Sequence, residues 1–181
     1  GTGNWVGQNC TLSSSDGTLN GVCSAGDAGI FNFATKFNIA DAQTVVMGVK
    51  YNPEFMEDEP ELFFVTDLST QWAGEKRITG HYLLPEYAFE GDTIEVVFDL
   101  STNSYFKSNI TSLRIDIHNG TAPFQIDYIR LYKKDGYVPP ENNIVMNEAT
   151  MPTSVNITNP ENIPEGIKVS SGGAGKLEIV E

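Results

Sequence analysis

Apolar and polar residues alternate with a period of two over many short stretches of the chain. In the runs 45–51 and 94–100, for example, every second residue is apolar. Such alternation is typical of β-strands that turn one face to a core and the other to solvent. With β-branched and aromatic enrichment as a second criterion, the pattern predicts nine strands, at 8–12, 18–24, 30–37, 44–51, 61–66, 78–84, 93–100, 111–117 and 124–133.

Between these runs the chain carries Gly, Pro and Asn, and it contains no convincing amphipathic helix. Many short strands without intervening helices favour two packed antiparallel sheets over a βαβ arrangement. We therefore predict an all-β protein, a two-layer antiparallel β-sandwich of the jelly-roll kind.

The pattern changes after Lys134. Residues 135–143 include the pair Pro139-Pro140, which stiffens the chain and removes two amide donors, so they are interpreted as a linker. The stretch 144–181 has only scattered strand-like pieces, too few to enclose a core. We predict a sandwich module over 1–134, a linker over 135–143, and an irregular C-terminal extension, or the start of a next module, over 144–181.

The two cysteines flank a strong turn signal. Asp16-Gly17 between extended segments is typical of a two-residue hairpin turn, and the resulting register places Cys10 opposite Cys23. This pair falls in a non-hydrogen-bonded site, where the two Cα atoms approach most closely. A cross-strand disulfide is predicted, which would indicate an oxidising compartment. The alternative is two separate buried cysteines.

Charge excludes some partners. The formal net charge is −13, from 24 acidic and 11 basic residues, and the basic residues are not clustered. Nucleic acid is excluded as a partner because phosphate binding needs clustered Lys and Arg. A membrane span is not expected, since no run of eighteen apolar residues occurs.

Catalysis is not expected either. The two histidines, His81 and His118, lie in no nucleophile or zinc motif, and no phosphate-binding loop is present. The acidic run 57–61 falls in an apparent loop, whereas a glycosidase needs two carboxylates held at a defined separation across a cleft. We predict that the chain is not an enzyme.

Three segments together resemble a known family. Residues 97–101, 109–116 and 124–132, with Ile126-Asp127-Tyr128-Ile129 as the most specific piece, look like the closing half of galactose-binding-like jelly rolls. Many carbohydrate-binding modules of secreted polysaccharide-degrading and cell-surface bacterial proteins share that fold. The resemblance covers about 4–134 and implies a secreted, non-catalytic module that binds polysaccharide and is joined to catalytic or cell-surface modules. The alternative is an architectural or interaction domain without affinity for sugar.

Asp127 is the most informative polar residue of the last predicted strand. It shares one face with Ile129 and Leu131, so it is expected to point toward the core. A buried carboxylate must be paired, hydrogen-bonded or bound to a metal, and calcium suits an oxygen site in an acidic protein. In similar modules a carboxylate on the last strand often meets the N-terminal segment at a structural calcium. The alternative is that Asp127 caps backbone amides near Trp5 without metal.

Sugar binding usually needs an exposed aromatic ring with polar neighbours. Trp72, in a turn-like segment, is the best candidate, and its alternative role is to close one end of the sandwich by packing. The weaker candidates for a carbohydrate site are Tyr51, Tyr82 and Arg114.

Overall fold

The computed structural model describes residues 2–24, 26–55, 58–84, 88–118 and 120–139, together with two short strands nearer the C-terminus. The chain divides into two compact units, Gly1–Asn142 and Asn143–Glu181. Most of the predicted extension, 144–181, and the residues of the predicted linker beyond 139 lie outside the described residues. Within the second unit, two antiparallel strands are described, β12 (Ile167–Val169) and β13 (Leu177–Ile179).

The first unit is built from two antiparallel sheets packed as a sandwich, which confirms the predicted fold class. One sheet has five strands, in the order β1 (Trp5–Gln8), β4 (Gly29–Asn32), β10 (Ile110–Asp116), β6 (Glu61–Thr66) and β7 (Arg77–Thr79). The other has six strands, in the order β2 (Cys10–Ser15), β3 (Thr18–Cys23), β11 (Phe124–Tyr132), β5 (Thr44–Lys50), β9 (Thr93–Asp99) and β8 (His81–Leu83).

The core lies between the two sheets and is formed by the inward positions of the predicted alternation. Both sheets contribute side chains that are less than 2% exposed, including Ile30, Leu62, Phe64, Met47, Ile94, Phe98 and Phe124. Helix is confined, in the described residues, to single turns of 3-10 helix at Pro53–Phe55, Gly74–Lys76 and Leu100–Thr102. None of these turns has the length or apolar character of a membrane span.

Two of the predicted strands are each divided in the structure, at the points where the chain passes from one sheet to the other. The run 8–12 is interrupted at Asn9, which has a φ of 51° and separates β1 from β2. The run 78–84 is interrupted at Gly80, between β7 and β8. A Cβ atom at Gly80 would lie 2.6 Å from the ring of Phe98, so the chain can cross the core edge only with glycine there.

The predicted strand 30–37 ends early, at Asn32. The side chain of Asn32 accepts hydrogen bonds from the backbone N–H groups of Ala34 and Thr35, both at 3.0 Å. This local capping turns the chain out of the sheet, as is common for asparagine. Only Phe37 returns, to an isolated bridge with Ile110.

The predicted hairpin and disulfide are confirmed. Asp16 and Gly17 both have positive φ, at 50° and 83°, and the register runs from Ser15–Thr18 at the turn to Cys10–Cys23. Cys10 and Cys23 are joined by a disulfide, and no described cysteine is left free. The bridge therefore pins β2, an edge strand, to β3.

Reduction of this disulfide is expected to lower the free energy of unfolding by about 2–3 kcal/mol, because a short closed loop is released in the unfolded chain. The two cysteines are 13 positions apart in sequence. Urea denaturation with and without reductant measures the effect. The double variant Cys10→Ser/Cys23→Ser is the control, and its midpoint should not respond to reductant. Equal midpoints for the wild-type chain under both conditions would contradict a stabilising bridge.

His118 is a buried histidine that the fold holds neutral. Its Nδ1 accepts a hydrogen bond from the N–H of Gly120, and its Nε2 donates to the carbonyl of Ala122, each at 2.9 Å. Protonation of Nδ1 would remove the first of these bonds. Burial lowers the pKa of His118 below its usual value. The unfolded chain therefore takes up this proton at a higher pH than the folded chain does.

The sign of the pH dependence follows from that difference. The stability held by neutral His118 is complete above the unfolded pKa of about 6.5 and is lost as the pH falls toward the lower folded pKa. We expect His118→Gln to flatten the fall in unfolding free energy between pH 7.5 and pH 5. His81→Gln, at an exposed position, is the control. An unchanged pH profile in His118→Gln would show that another group is responsible.

Candidate functional site

The outer surface of the five-stranded sheet carries a row of large side chains that crosses every strand. Because Ile30, Leu62 and Ile115 point into the core, their neighbours in sequence point outward. Strand register aligns these neighbours from one edge of the sheet to the other, as Val6, Phe31, Arg114, Phe63 and Arg77. Together with Phe33 and Trp72, they form what we call the aromatic face.

Arg114 lies at the centre of the aromatic face. Its guanidinium carbon is 5.3 Å from the ring centroid of Phe31 and 5.3 Å from that of Phe63, so the cation lies between two π-systems. The group also donates to both oxygens of Asp116, at 2.6 and 2.8 Å, and to Asp27. The Arg114 side chain is 14% exposed, so its position is fixed by contacts on all sides.

The two carboxylates that are bound to Arg114 differ in their surroundings. The hydrogen bond from Arg114 lowers the pKa of Asp27, whose side chain is 68% exposed. Burial raises the pKa of Asp116 and outweighs the opposing hydrogen bonds from Arg114. Gln8 also donates to Asp27, at 2.9 Å. Asp116 is thus a supporting group beneath the surface, whereas Asp27 stands at the surface.

Gly29 makes this packing possible. A Cβ atom at Gly29 would overlap the Asp116 carboxylate and would lie 2.9 Å from Nε of Arg114. Any side chain at this position would push apart the ion pair at the centre of the face. Gly29 is therefore required here for the close approach of the side chains and not for a turn.

Trp72 and Phe33 provide the accessible rings of the face. Phe33 stacks on Phe31 at a centroid distance of 5.6 Å and is 57% exposed. Trp72 meets Phe31 edge-on at 5.5 Å and is 36% exposed. Phe31 itself is only 7% exposed, so it supports the two other rings from below. Trp72 therefore packs on the outer face of the sheet through Phe31 and still presents part of its ring to solvent. Its role in sugar binding stays a prediction.

Lys76 holds the loop that carries Trp72. Although it is a lysine, it is 1% exposed, and its ammonium donates to the carbonyl and hydroxyl oxygens of Ser69, both at 3.1 Å, and to the carbonyl of Gln71. Burial lowers the pKa of Lys76. Ser69 is further tied to Thr66 by a backbone bond of 3.2 Å. The bonds from Lys76 to Ser69 and Gln71 thus join the two sides of the loop that carries Trp72.

Replacing Lys76 by methionine is expected to release this loop. The substitution retains most of the buried volume but leaves the acceptors without a donor, at a cost of about 1–3 kcal/mol in unfolding free energy. In a Trp5→Phe background, the emission of Trp72 should become more accessible to acrylamide quenching. Lys107→Met, at an exposed position, is the control. Quenching of Trp72 equal to that of the parent would show that Lys76 does not hold the loop.

The structure brings two of the four predicted carbohydrate-site residues together and separates the others. Trp72 and Arg114 share the aromatic face through Phe31. Tyr82 lies in the six-stranded sheet and packs against the core, and its buried hydroxyl has no hydrogen-bond partner among the residues that the structure describes. Burial raises the pKa of Tyr82 well above its usual range. Tyr51, which follows β5, also packs against the core and borders a surface groove described below.

Asp127 does not point into the core as expected. A β-bulge between Ile126 and Tyr128 shifts the register, so Asp127 lies beside outward side chains of the six-stranded sheet. It is 3.1 Å from the ammonium of Lys50 and accepts hydrogen bonds from Thr93 and Thr18. Its carboxylate is thus satisfied by three side chains, and within the described part of the chain it does not cap backbone amides near Trp5.

These contacts bear on the predicted calcium. Within the described ranges, no three His, Cys, Asp or Glu side chains lie close enough together to share a metal ion. Lys50 would repel a calcium ion at Asp127, so the ion would have to displace its ammonium. Calcium at Asp127 stays a prediction, and no step below depends on it.

The sequence analysis predicted only part of the aromatic face. Phe31, Phe33 and Phe63 fall in apolar stretches where inward and outward positions look alike, and they were not singled out. Alternation from Ile30 could have identified Phe31 as an outward residue. Its meeting with Arg114 depends on the pairing of β4 with β10, which are far apart in sequence.

The fold and this face define the class of the protein: it is a β-sandwich whose five-stranded sheet has aromatic rings and a half-buried arginine on its outer surface. No protein-family model matches the chain, and no curated protein does so either. Several solved structures are similar to it, and carbohydrate-binding modules are among them.

A variant of a family 29 carbohydrate-binding module is 13% identical, with 77% of this chain and 83% of that chain covered and a TM-score of 0.48. The low-affinity xylan-binding module CBM86 from Roseburia intestinalis is 11% identical, with coverage of 71% and 88% and a TM-score of 0.44. CsCBM6-3 from Clostridium stercorarium, in complex with cellobiose, is 12% identical, with coverage of 71% and 86% and a TM-score of 0.38. The case for a function rests on the residues of the face and not on these similarities.

Proposed function

We propose that this chain is a non-catalytic module that binds a polysaccharide through its aromatic face. The observation that carries the proposal is the pair of accessible rings, Trp72 and Phe33, which both pack against Phe31. Sugar rings present C–H faces that stack on aromatic surfaces, and their hydroxyls need donors and acceptors nearby. The aromatic face offers both.

Ion pairs of opposite charge lie beside the rings. Arg77 is paired with Glu61 at 2.9 Å, and Arg114 is paired with Asp116 and Asp27. These pairs leave oxygen and nitrogen atoms that can bond sugar hydroxyls without a large local charge. With the formal net charge of −13, this balance favours a neutral polysaccharide over an anionic one.

The same pairing supports the non-catalytic part of the proposal. A glycosidase needs one carboxyl as a proton donor and a second as a base or nucleophile on the opposite side of the scissile bond. Here the face carboxylates Asp27, Asp116 and Glu61 are each bound to an arginine of the same surface. A carboxylate whose oxygens are bound by an arginine is occupied, which suits structural support rather than proton transfer.

The disulfide supports an extracellular location. Bonds such as Cys10–Cys23 persist in oxidising compartments and are rare in reducing ones. We infer that the chain acts outside the cell, joined to catalytic or cell-surface modules of a polysaccharide-active protein. The role of the module would then be to hold those partners near their substrate.

Affinity gel electrophoresis of the full chain tests the proposal. The gels contain, in turn, hydroxyethylcellulose, xylan, glucomannan, starch and polygalacturonate, each with added calcium and with EDTA. We expect retarded migration in at least one neutral polysaccharide and none in polygalacturonate without calcium. Retardation that vanishes in EDTA would support the calcium prediction. Unretarded migration in every gel would overturn the proposal and favour the architectural alternative.

A further inference from the structure

A second row of outward side chains crosses four neighbouring strands of the six-stranded sheet, and it is polar and not aromatic. Ser13 on β2 pairs with Asn20 on β3, and Asn20 pairs with Gln125 on β11. Lys50 of β5 follows Val49, which pairs with Ile126 next to Gln125. The row therefore presents a hydroxyl, two amides and an ammonium side by side.

This row forms the wall of a groove of about 480 Å³, and Tyr51 and Asn52 line the groove as well. The groove lies on the opposite sheet from the aromatic face. It has the size of a small-ligand site, since such clefts measure about 300–1,000 Å³. The structure describes all six of these residues. Tyr51 supplies an aromatic ring beside the polar row.

The groove is held in place by contacts that do not need a ligand. The Tyr51 backbone is tied on both sides, with its N–H donating to Asp92 at 2.7 Å and its carbonyl accepting from Gly91 at 3.0 Å. The side chain of Gln125 donates to Asn20 at 2.9 Å. A row of amides already ordered in this way would lose less conformational entropy on binding than free side chains would.

The charges in the groove indicate a neutral ligand. Two charged side chains line the groove: Lys50, which is paired with Asp127 at 3.1 Å, and Glu90, which adds a carboxylate. The amides of Asn20, Asn52 and Gln125 each provide both donors and acceptors, which is the combination that vicinal sugar hydroxyls need. An anion would meet a paired ammonium and the Glu90 carboxylate, and a purely apolar ligand would gain no hydrogen bonds from the amides.

We propose that this groove is a second carbohydrate-binding site, for one or two sugar units of a neutral saccharide stacked against Tyr51. It is independent of the aromatic face, and the two sites lie on different sheets. A module with both sites would engage two segments of one polysaccharide or two neighbouring chains. The gain in avidity would come from the second, intramolecular contact.

The test uses the full chain, labelled with ¹⁵N and titrated with cellohexaose, xylohexaose and mannohexaose. Four forms are compared: wild type, Trp72→Ala, the groove variant Tyr51→Ala/Gln125→Ala, and Arg130→Ala as a control on β11 outside the groove. We expect wild type to show two separate sets of shifted amides, one around Asn20 and Gln125 and one around Phe31 and Phe33. The groove variant should lose the first set only, and Trp72→Ala should lose or weaken the second only.

Each outcome decides between the two sites. Shifts around Asn20 and Gln125 that persist in Trp72→Ala and vanish in the groove variant support the groove, even if the aromatic face proves inactive. Shifts confined to the aromatic face overturn the groove and leave the proposed function intact. Loss of the groove shifts in Arg130→Ala as well would show that they report a general change in the sheet and would overturn the groove. A wild-type chain without shifts overturns both.

Discussion

Replacing Arg114 by methionine is expected to lower the free energy of unfolding by about 3 kcal/mol or more, because Asp116 is left as an uncompensated, largely buried carboxylate. The two side chains are 14% and 19% exposed. Methionine retains much of the contact with Phe31 and Phe63, so lost packing is the smaller part of the effect. Equilibrium denaturation in urea at pH 7.5 measures it.

The chain provides a matched control for Arg114 on the same sheet surface. Arg77 pairs with Glu61 at 2.9 Å, but these side chains are 50% and 30% exposed. Arg77→Met should therefore cost only about 0–1 kcal/mol, as is usual for solvent-exposed ion pairs. Equal losses in the two variants would contradict the view that burial makes the Arg114 pair important.

The Arg114→Met deficit should also depend on pH in a defined direction. Burial already raises the pKa of Asp116, and removal of the guanidinium would raise it further. A carboxyl with a raised folded pKa costs stability at neutral pH, and the cost disappears as the pH falls below its unfolded value of about 3.9. The double variant Arg114→Met/Asp116→Met should recover part of the loss at every pH, because no buried charge remains.

Replacing Trp72 by alanine is expected to weaken binding to a retained polysaccharide about tenfold or more. An aromatic ring that stacks on a planar ligand contributes about 1–3 kcal/mol, by analogy with bases on aromatic side chains. Affinity gel electrophoresis over a series of polysaccharide concentrations gives the change in dissociation constant. The free energy of unfolding should change less than the free energy of binding does, because Trp72 lies on the surface and is 36% exposed.

Leu131→Ala is the control for this experiment. Leu131 is 42% exposed and lies on β11 of the other sheet. The substitution therefore removes exposed apolar surface that is not part of the aromatic face. Its retention should equal that of wild type. If Trp72→Ala and wild type were retained equally, stacking on Trp72 would be excluded as a contribution to binding.

Local sequence patterns were enough to predict the hairpin and most strands. Asp16-Gly17 determines a tight turn, and the turn determines which cysteine faces which, so the disulfide followed from six residues on either side. Period-two alternation likewise identified the inward residues of β5 and β9. Each of these features depends on neighbours in sequence.

Features that depend on distant partners were missed. The passages between sheets at Asn9 and Gly80 look like continuous strand, because nothing in the local pattern shows which sheet a strand joins. The bulge at Asp127 reverses the expected direction of one side chain, and a single extra residue leaves no clear trace in the alternation. The calcium hypothesis relied on that direction.

The candidate site was predictable only in part for the same reason. The sequence analysis named Trp72 as the best candidate and Arg114 as a weaker one, without a link between the two. What unites them is Phe31, whose strand is paired with that of Arg114 across about eighty residues of sequence. A surface made by the register of non-local strands cannot be assembled from one sequence alone.

The central claim is that the aromatic face contacts polysaccharide, and solvent-exposed aromatic rings allow a direct measurement of it. ¹⁹F NMR of the full chain, with 5-fluorotryptophan at Trp72 and Trp5, is recorded during titration with the polysaccharide that retains the chain most strongly. Trp5 is partly buried against the core and acts as the internal reference. We predict that the Trp72 resonance shifts or broadens with saturation while the Trp5 resonance does not change. A Trp72 resonance that stays unchanged at concentrations that fully retard the chain in the gel would contradict binding through this face.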